Sequence, residues 1–349
     1  MNFEFYDYYR AGVNLGGWLS QYALSMAGEG HFETFITEKD IAIIASWGAD
    51  HVRLPVDYEI IENWGGEEPF HEANLAFIDR CLEWCDKHGL RVILDLHKAP
   101  GQVYGYTDDP NPMLVEEENR QRFAAIWSMF AARYRDIDER LVFELVNEIS
   151  DSTDYLWNKV YIQAVEAIRQ VDGERTILVG GNDANSVLTL KELTLTDDPK
   201  VVYNFHHYDP LFFTHQLAHF SEDILEYNKV IHYPGEIPDV QQYLNERPEY
   251  LHKLGRQAWE TNDKQLIEKY LRHADNFTTY TGRQLYCGEF GVINTAQPDD
   301  AVRWVKDVVE LLDARRIGRA YWNYKEMDFG LVDRNCNVVN EQLIKALFG

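Results

Sequence analysis

Short, nearly unbroken apolar runs alternate along this chain with longer stretches in which apolar positions recur at helical spacing. VILDL, LVFELV and VVYNF are examples of the first kind, the pattern of parallel strands covered on both faces. Marking every such run predicts strands at Gly12–Leu15, Asp50–Val56, Arg91–His97, Leu141–Glu148, Thr176–Gly180, Val201–Tyr208, Leu285–Phe290 and Arg319–Tyr324. Helices are expected between them. Thr37–Trp47 opens with Thr37 and Asp40 in capping-box spacing and stops at Gly48. Asn74–His88 places Leu75, Ile78, Leu82 and Cys85 on one stripe and ends at Gly89. Further helical periodicity covers Asn119–Tyr134, Leu156–Val171, Asp263–Tyr280 and Pro298–Arg315, with a shorter piece at Thr189–Leu193. Eight strands alternating with helices predict an α/β fold, a (β/α)8 TIM barrel that takes residues 1–349 as a single domain.

One connection is too long for an ordinary barrel loop. Residues 209–262 run from strand six to the next helix, and a segment of that length is a functional loop or a small subdomain. It carries Phe212, Phe213, Phe220, Tyr227, Tyr233, Tyr243, Tyr250 and Trp259, too many aromatics for a disordered linker. The expectation is a small, partly helical inserted subdomain over the C-terminal face of the barrel.

Charge narrows the partners. A formal net charge of -25 repels phosphate backbones and anionic lipid, so neither nucleic acid nor membrane is expected as a partner, whereas a neutral polymer meets no such penalty. No apolar run approaches the ~18 residues that cross a bilayer. The 21 Tyr and 9 Trp suit a site for sugar rings, whose apolar faces stack on aromatic side chains. The start, MNFEFYDYYR, has neither a basic nor an apolar leader region. A cytoplasmic monomer is the expectation, or an extracellular one if a leader has been removed. Cys81, Cys85, Cys287 and Cys336 show neither CxxC spacing nor a disulfide framework.

Candidate chemistry collects at one end of the predicted strands. Towards the C-terminal ends lie Arg53 on strand two, His97 on strand three, Asn147 and Glu148 on strand four, His206 and Tyr208 on strand six, Glu289 on strand seven and Trp322 on strand eight. The C-terminal ends of barrel strands carry the active sites of such folds. Two carboxylates among them, Glu148 and Glu289, suggest glycoside hydrolysis, which needs one acid at the leaving oxygen and one carboxylate at the anomeric carbon. A retaining site holds the two about 5–5.5 Å apart. By strand parity Asp95 and Glu144 share the inward face and could join Arg53 in a buried network, and Cys287 is expected to face inward as a packing residue. His215 and His219 have i,i+4 spacing, but without an HExxH context no metal is expected.

The motifs GVNLGGW, DHVRLPVDY, LDLHKAPG, FELVNE, YNFHHYDP, YCGEFGV and YWNYKEMDFG, in this order over residues 12–330, resemble those of glycoside hydrolase family 5, the cellulase family of clan A. Within it the resemblance is to the clostridial endoglucanase C type, which also carries an insertion after strand six. The resemblance implies that Glu148 is the acid/base and Glu289 the nucleophile of a retaining β-glucanase that uses no cofactor and no metal. It further implies that Asn147 binds the sugar 2-OH, that Arg53 and Tyr208 support Glu289, that His206 orients Glu148, and that His97 and Trp322 bind the sugar at the cleavage point. Lys98 stands where relatives often have a second His. The substrate implied is a β-glucan oligo- or polysaccharide, cut internally at β-1,4 or mixed linkages. NLGGWL also resembles the exo-β-1,3-glucanase branch, so an exo-acting or β-glucosidase-like enzyme stays open, as does a sugar-binding barrel without activity.

Overall fold

The apolar runs become strands because Val, Ile, Leu and Phe at consecutive positions can be buried on both faces only inside a covered parallel sheet. In the computed structural model, which describes residues 4–22, 28–105, 110–150, 154–255 and 259–349, they form β1 (Ala11–Asn14), β2 (His51–Asp57), β3 (Arg91–Lys98), β4 (Leu141–Glu144), β5 (Ile177–Gly180), β6 (Val201–His207), β7 (Leu285–Phe290) and β8 (Gly318–Tyr321). All pair in parallel, and β1 closes on β8 to make the barrel. The helices between them are α1 (Glu38–Ser46), α2 (Glu72–Lys87), α3 (Glu117–Arg133), α4 (Asp154–Arg169), α5 (Lys264–Thr281) and α6 (Pro298–Ala314), with α7 (Glu341–Phe348) after β8. This is a (β/α)8 TIM barrel. The piece expected at Thr189–Leu193 is a 3-10 turn over Val187–Glu192, and α7 is an addition that the sequence pattern did not suggest. The capping box of Thr37 and Asp40 opens α1 as expected. Among the described residues no helix is long and apolar enough to cross a membrane.

Two departures in the strands shape the site. β4 stops at Glu144, short of the expected Glu148, so Asn147 and Glu148 sit on the turn beyond it. Between β6 and β7 the register slips: Phe205 faces Cys287, but His206 faces Glu289, leaving Gly288 as the extra residue of a bulge. Parity counted back from Glu289 therefore fails. Tyr286 belongs to the cluster inside the barrel with Ile93, Val142, Leu178 and Val202, while Cys287 belongs to the core shared with the helices. The expected inward Cys287 is corrected on this ground.

The barrel floor is closed by rings. Phe5 stacks on Tyr9 at 4.6 Å, and His51 bridges Asp50 and the Tyr286 hydroxyl through its two nitrogens. Gly12 has no side chain because a Cβ there would lie 2.3 Å from the His51 ring. The ring, held at both nitrogens, has no free direction to move. Gly12→Ala is accordingly expected to cost about 1–3 kcal/mol of stability, the usual scale for overpacking, measured by urea unfolding. A loss below about 0.5 kcal/mol, the scale of ordinary surface substitutions, would show that the floor yields.

Residues 209–262 fold into short helices at Leu211–Thr214, Glu222–Tyr227, Val240–Glu246 and Leu251–Leu254 and a two-residue antiparallel pairing of Gly235–Glu236 with Thr261–Asn262. Phe212 packs on Tyr227 at 4.7 Å and Tyr227 on Tyr243 at 5.1 Å. Tyr233 donates to Asp307 at 2.7 Å and His232 pairs with Asp300 at 2.7 Å, tying the segment to α6.

Candidate active site

The strand ends named from sequence converge on Arg53. Its guanidinium is fully buried and uses its five N–H donors on four side chains: Nε and Nη2 on Glu144 at 2.7 and 2.9 Å, Nη2 also on Asn147 at 3.0 Å, Nη1 on Asn14 at 2.9 Å and on Glu289 at 2.7 Å, while Asp95 completes the set as an ion pair 3.0 Å from Nη2. The planar fork suits this; a point charge could not reach so many acceptors. Burial works against the cation, but Asp95, Glu144 and Glu289 outweigh it and hold Arg53 firmly charged. Asp95 is pushed up to about 7 by burial, with Arg53 opposing. Glu144 moves up for the same reason. The network expected from the parity of Asp95 and Glu144 is present.

Glu289 has its two oxygens on different donors. Arg53 takes Oε1, and the Tyr208 hydroxyl donates to Oε2 at 2.9 Å. Burial and the neighbouring Glu289 and Glu148 hold the Tyr208 phenol well above its ordinary range, so it remains a donor. Across the cavity His206 Nδ1 lies 2.9 Å from Glu148 Oε1 and 3.7 Å from Glu289 Oε2. One ligand atom from each of Glu148, His206 and Glu289 lies within 4.8 Å of the others, and among the described residues this is the set that could converge on a cation. The Arg53 guanidinium already supplies positive charge to Glu289 there.

Glu148 differs from Glu289 in its surroundings. Burial raises its carboxyl above the usual range, against the pull of His97 and Arg53. Its backbone has φ 45°, in the left-handed region that a non-glycine residue enters only at a cost. Strain of this kind concentrates at functional positions, and here it turns the side chain toward His206. His206 is driven down to about 4, mainly by burial, and is neutral near pH 7.

The remaining expected residues line the same cavity of ≈ 520 Å³. Arg53 donates to the side-chain Oδ1 of Asn147, which leaves the amide NH2 on the side of Tyr104. Trp322 lies just past β8 with its ring over Gly16, where a Cβ would come within 2.5 Å, and stacks on His97 at 5.5 Å. Both His97 nitrogens have partners: Nδ1 has Asp95 at 2.8 Å, and Nε2 has the Gln21 amide at 2.9 Å. Gln21, on the turn after β1 with φ 52°, is a cavity residue that the sequence reading missed. So are Asp183, Ala184 and Ser186. Nothing in the sequence marks them, because they come from a turn after β5 whose strand carried no candidate. Lys98 points away from the cavity onto Glu59. His215 and His219 do not share a helical face: the helix ends at Thr214, His215 is packed against Phe329, and His219 pairs with Asp328 at 3.0 Å. Both line the cavity with Phe220, so residues 209–262 contribute part of its wall.

A (β/α)8 barrel with two carboxylates converging at the C-terminal end of its strands is the architecture of a glycoside hydrolase. Residues 13–328 match the family described as cellulase (glycosyl hydrolase family 5). The chain is 43% identical over 340 residues to Endoglucanase C of Acetivibrio thermocellus, covering 97% of this chain and 98% of that protein. It is 35% identical over 309 residues to Cellodextrinase A of Ruminococcus flavefaciens, covering 88% and 83% of the two chains. Among solved structures, Thermotoga maritima Cel5A with cellobiose superposes with a TM-score of 0.78 at 24% identity, over 99% of this chain and 100% of that one. This chain belongs to glycosyl hydrolase family 5 and is a glycoside hydrolase.

Proposed function

We propose that this enzyme hydrolyses β-glucan internally, at β-1,4 or mixed linkages, with retention of anomeric configuration. The observation that carries the reading is the placing of Glu148 and Glu289 on either side of His206, one ligand atom of each within 4.8 Å. That short spacing suits direct attack by a carboxylate; an inverting pair stands wider, about 6.5–9.5 Å apart, to admit a water. The name of the 43% relative, an endoglucanase, supports the substrate class.

In this reading Glu289 attacks the anomeric carbon as the bond to the leaving sugar breaks, and Glu148 gives its proton to the departing oxygen. Glu148 then takes a proton from water as that water's oxygen displaces Glu289. Burial of Glu148 favours the proton needed in the first step. Arg53 and Tyr208 stabilise the negative charge of Glu289 when it leaves. The Asn147 NH2 group would donate to the sugar 2-OH, Trp322 would carry a sugar face, and Gln21 together with His97 would read hydroxyls. Residues 209–262 would form one wall of the cleft through His219 and Phe220.

The test is a product-size time course on lichenan, carboxymethyl cellulose and laminarin. Lichenan or carboxymethyl cellulose should lose viscosity early, with a spread of oligosaccharides. Release of only glucose or a single short sugar from the first minutes, above all from laminarin, would replace this reading by the exo-acting one.

A further inference from the structure

The site contains a side chain that touches neither carboxylate yet sits on the group between them. Asn185 is fully buried, and its Nδ2 lies 3.3 Å from His206 Nε2. It is delivered there by an unusual turn. Asp183, Ala184 and Asn185 are consecutive left-handed residues, with φ 55, 54 and 55°, a conformation that non-glycine residues adopt only at a cost. The turn is held by the Ala184 N–H donating to the Ile149 carbonyl at 3.1 Å and by a parallel bridge between Ser186 and His206. Space for the amide exists because β5 ends in Gly180, where a Cβ would lie 2.2 Å from Asn185 Oδ1.

We propose that Asn185 is a positioning residue for the acid/base: its amide keeps the single proton of His206 on Nδ1, so that the imidazole presents a donor, and not a lone pair, to Glu148. The inference rests on the retaining reading above and goes beyond it. A neutral imidazole has one N–H and one acceptor nitrogen. An amide NH2 directed at Nε2 makes Nε2 the acceptor, since a second N–H there would set donor against donor. The proton then belongs to Nδ1, which lies 2.9 Å from Glu148 Oε1. His206 stays neutral because it is buried, although Glu289 pulls the other way.

The consequence is for the proton on Glu148. A permanent Nδ1–H donor stabilises the Glu148 carboxylate once it has protonated the leaving group. The other tautomer would offer a lone pair, accept from the carboxylic acid and hold its proton back. Asn185 thus offsets part of the rise that burial imposes on Glu148. Besides Glu148, the groups facing His206 are Glu289, Arg53, Glu144 and His97. His97 and Arg53 also face Glu148, and Asp95, Tyr104 and Tyr208 lie within electrostatic reach of it. Asp183 lines the cavity from the turn itself. None of these other groups is placed by an observed hydrogen bond on Nε2.

The test combines histidine 15N NMR with pH profiles of the intact enzyme. Wild-type His206 should show Nε2 as the unprotonated nitrogen and Nδ1 as N–H. In Asn185→Ala, Nε2–H should become populated, and the basic limb of kcat/KM should move up by about one pH unit, with kcat lowered and KM little changed. Gly180→Ala, which crowds the amide without removing it, should move the limb in the same direction. A wild-type spectrum with Nε2 protonated, or a downward shift, would mean that the amide accepts through Oδ1, and the proposal falls. An unmoved tautomer and an unmoved limb would reduce Asn185 to packing, which also overturns it. The wild-type spectrum does not depend on turnover, so a failure of the β-glucan reading would be seen separately, as absent hydrolysis with the tautomer intact.

Discussion

Glu289→Ala is expected to lower kcat on β-glucan by about four orders of magnitude or more, the scale on which loss of a covalent nucleophile is felt. The fold should remain, because Arg53 keeps Asp95 and Glu144 as partners when Glu289 is gone. Added azide distinguishes the two carboxylates. In Glu289→Ala an azide ion can enter the vacated space and attack the anomeric carbon from that side, giving a glycosyl azide of inverted, α, configuration. In Glu148→Ala the glycosyl-enzyme still forms on substrates whose leaving group needs no proton. Azide then displaces Glu289 and gives the β product. Product NMR reads the difference. Exchange of the two configurations would reverse the roles proposed for Glu148 and Glu289, and full activity in either variant would end the retaining mechanism.

How much of this was open to sequence reading depends on what fixes each residue. The barrel was legible because its strands are continuous apolar runs, and β7 matches the expected Leu285–Phe290. The inward set Arg53, Asp95 and Glu144 was legible because β2 and β3 pair without a slip as far as Val56 and Leu96 and β4 alternates as far as Glu144; His97 stands at the slip between Leu96 and Lys98 and still lines the cavity. Alternation misleads where the backbone breaks it. The bulge at Gly288 brings Glu289 opposite His206 while sending Cys287 outward, and a glycine within a strand is only a weak sign of a bulge. Likewise the run LVFELVNE reads as one strand to Glu148, yet pairing ends at Glu144 and Glu148 turns into the left-handed region.

The residues missed share one property: they act through turns. Gln21 and Asn185 both have positive φ without being glycine, so nothing in their sequence context announces the conformation that aims them. Asn185 reaches His206 only because Ser186 bridges to it and Gly180 leaves space. The helix α7 was missed for a different reason: its eight residues offer barely two turns of periodicity, although Asn340 caps it by accepting from Gln342 and Leu343. His97 shows the limit of reading a role from a motif. It lines the cavity as expected, but its two nitrogens already have Asp95 and Gln21, so in the reading proposed above a sugar hydroxyl would meet the pair and not a free imidazole.

Arg53→Leu should be the most damaging single change to stability. The guanidinium is the shared partner of Asp95, Glu144 and Glu289, all close to it at 3.0, 2.7 and 2.7 Å. Leucine fills part of the volume but leaves two wholly buried carboxylates without their cation, a loss of about 3–5 kcal/mol by the usual scale for half-removed buried pairs. The penalty has a direction in pH. A carboxyl whose folded pKa is raised contributes stability that is fully present below its unfolded pKa and lost as pH rises through the folded value. For Asp95 in the native enzyme that window runs from about 4 to about 7. Without Arg53, burial of Asp95 and Glu144 is unopposed, and the window extends further upward. Urea unfolding of both proteins at pH 5 and pH 8 should therefore show a larger gap at pH 8. Arg53→Lys should recover only part of it, since one ammonium cannot bond three carboxylates set around a planar fork. Equal gaps at the two pH values would mean that Asp95 and Glu144 keep their charge without Arg53, and the network would then be held by its hydrogen bonds and not by that cation.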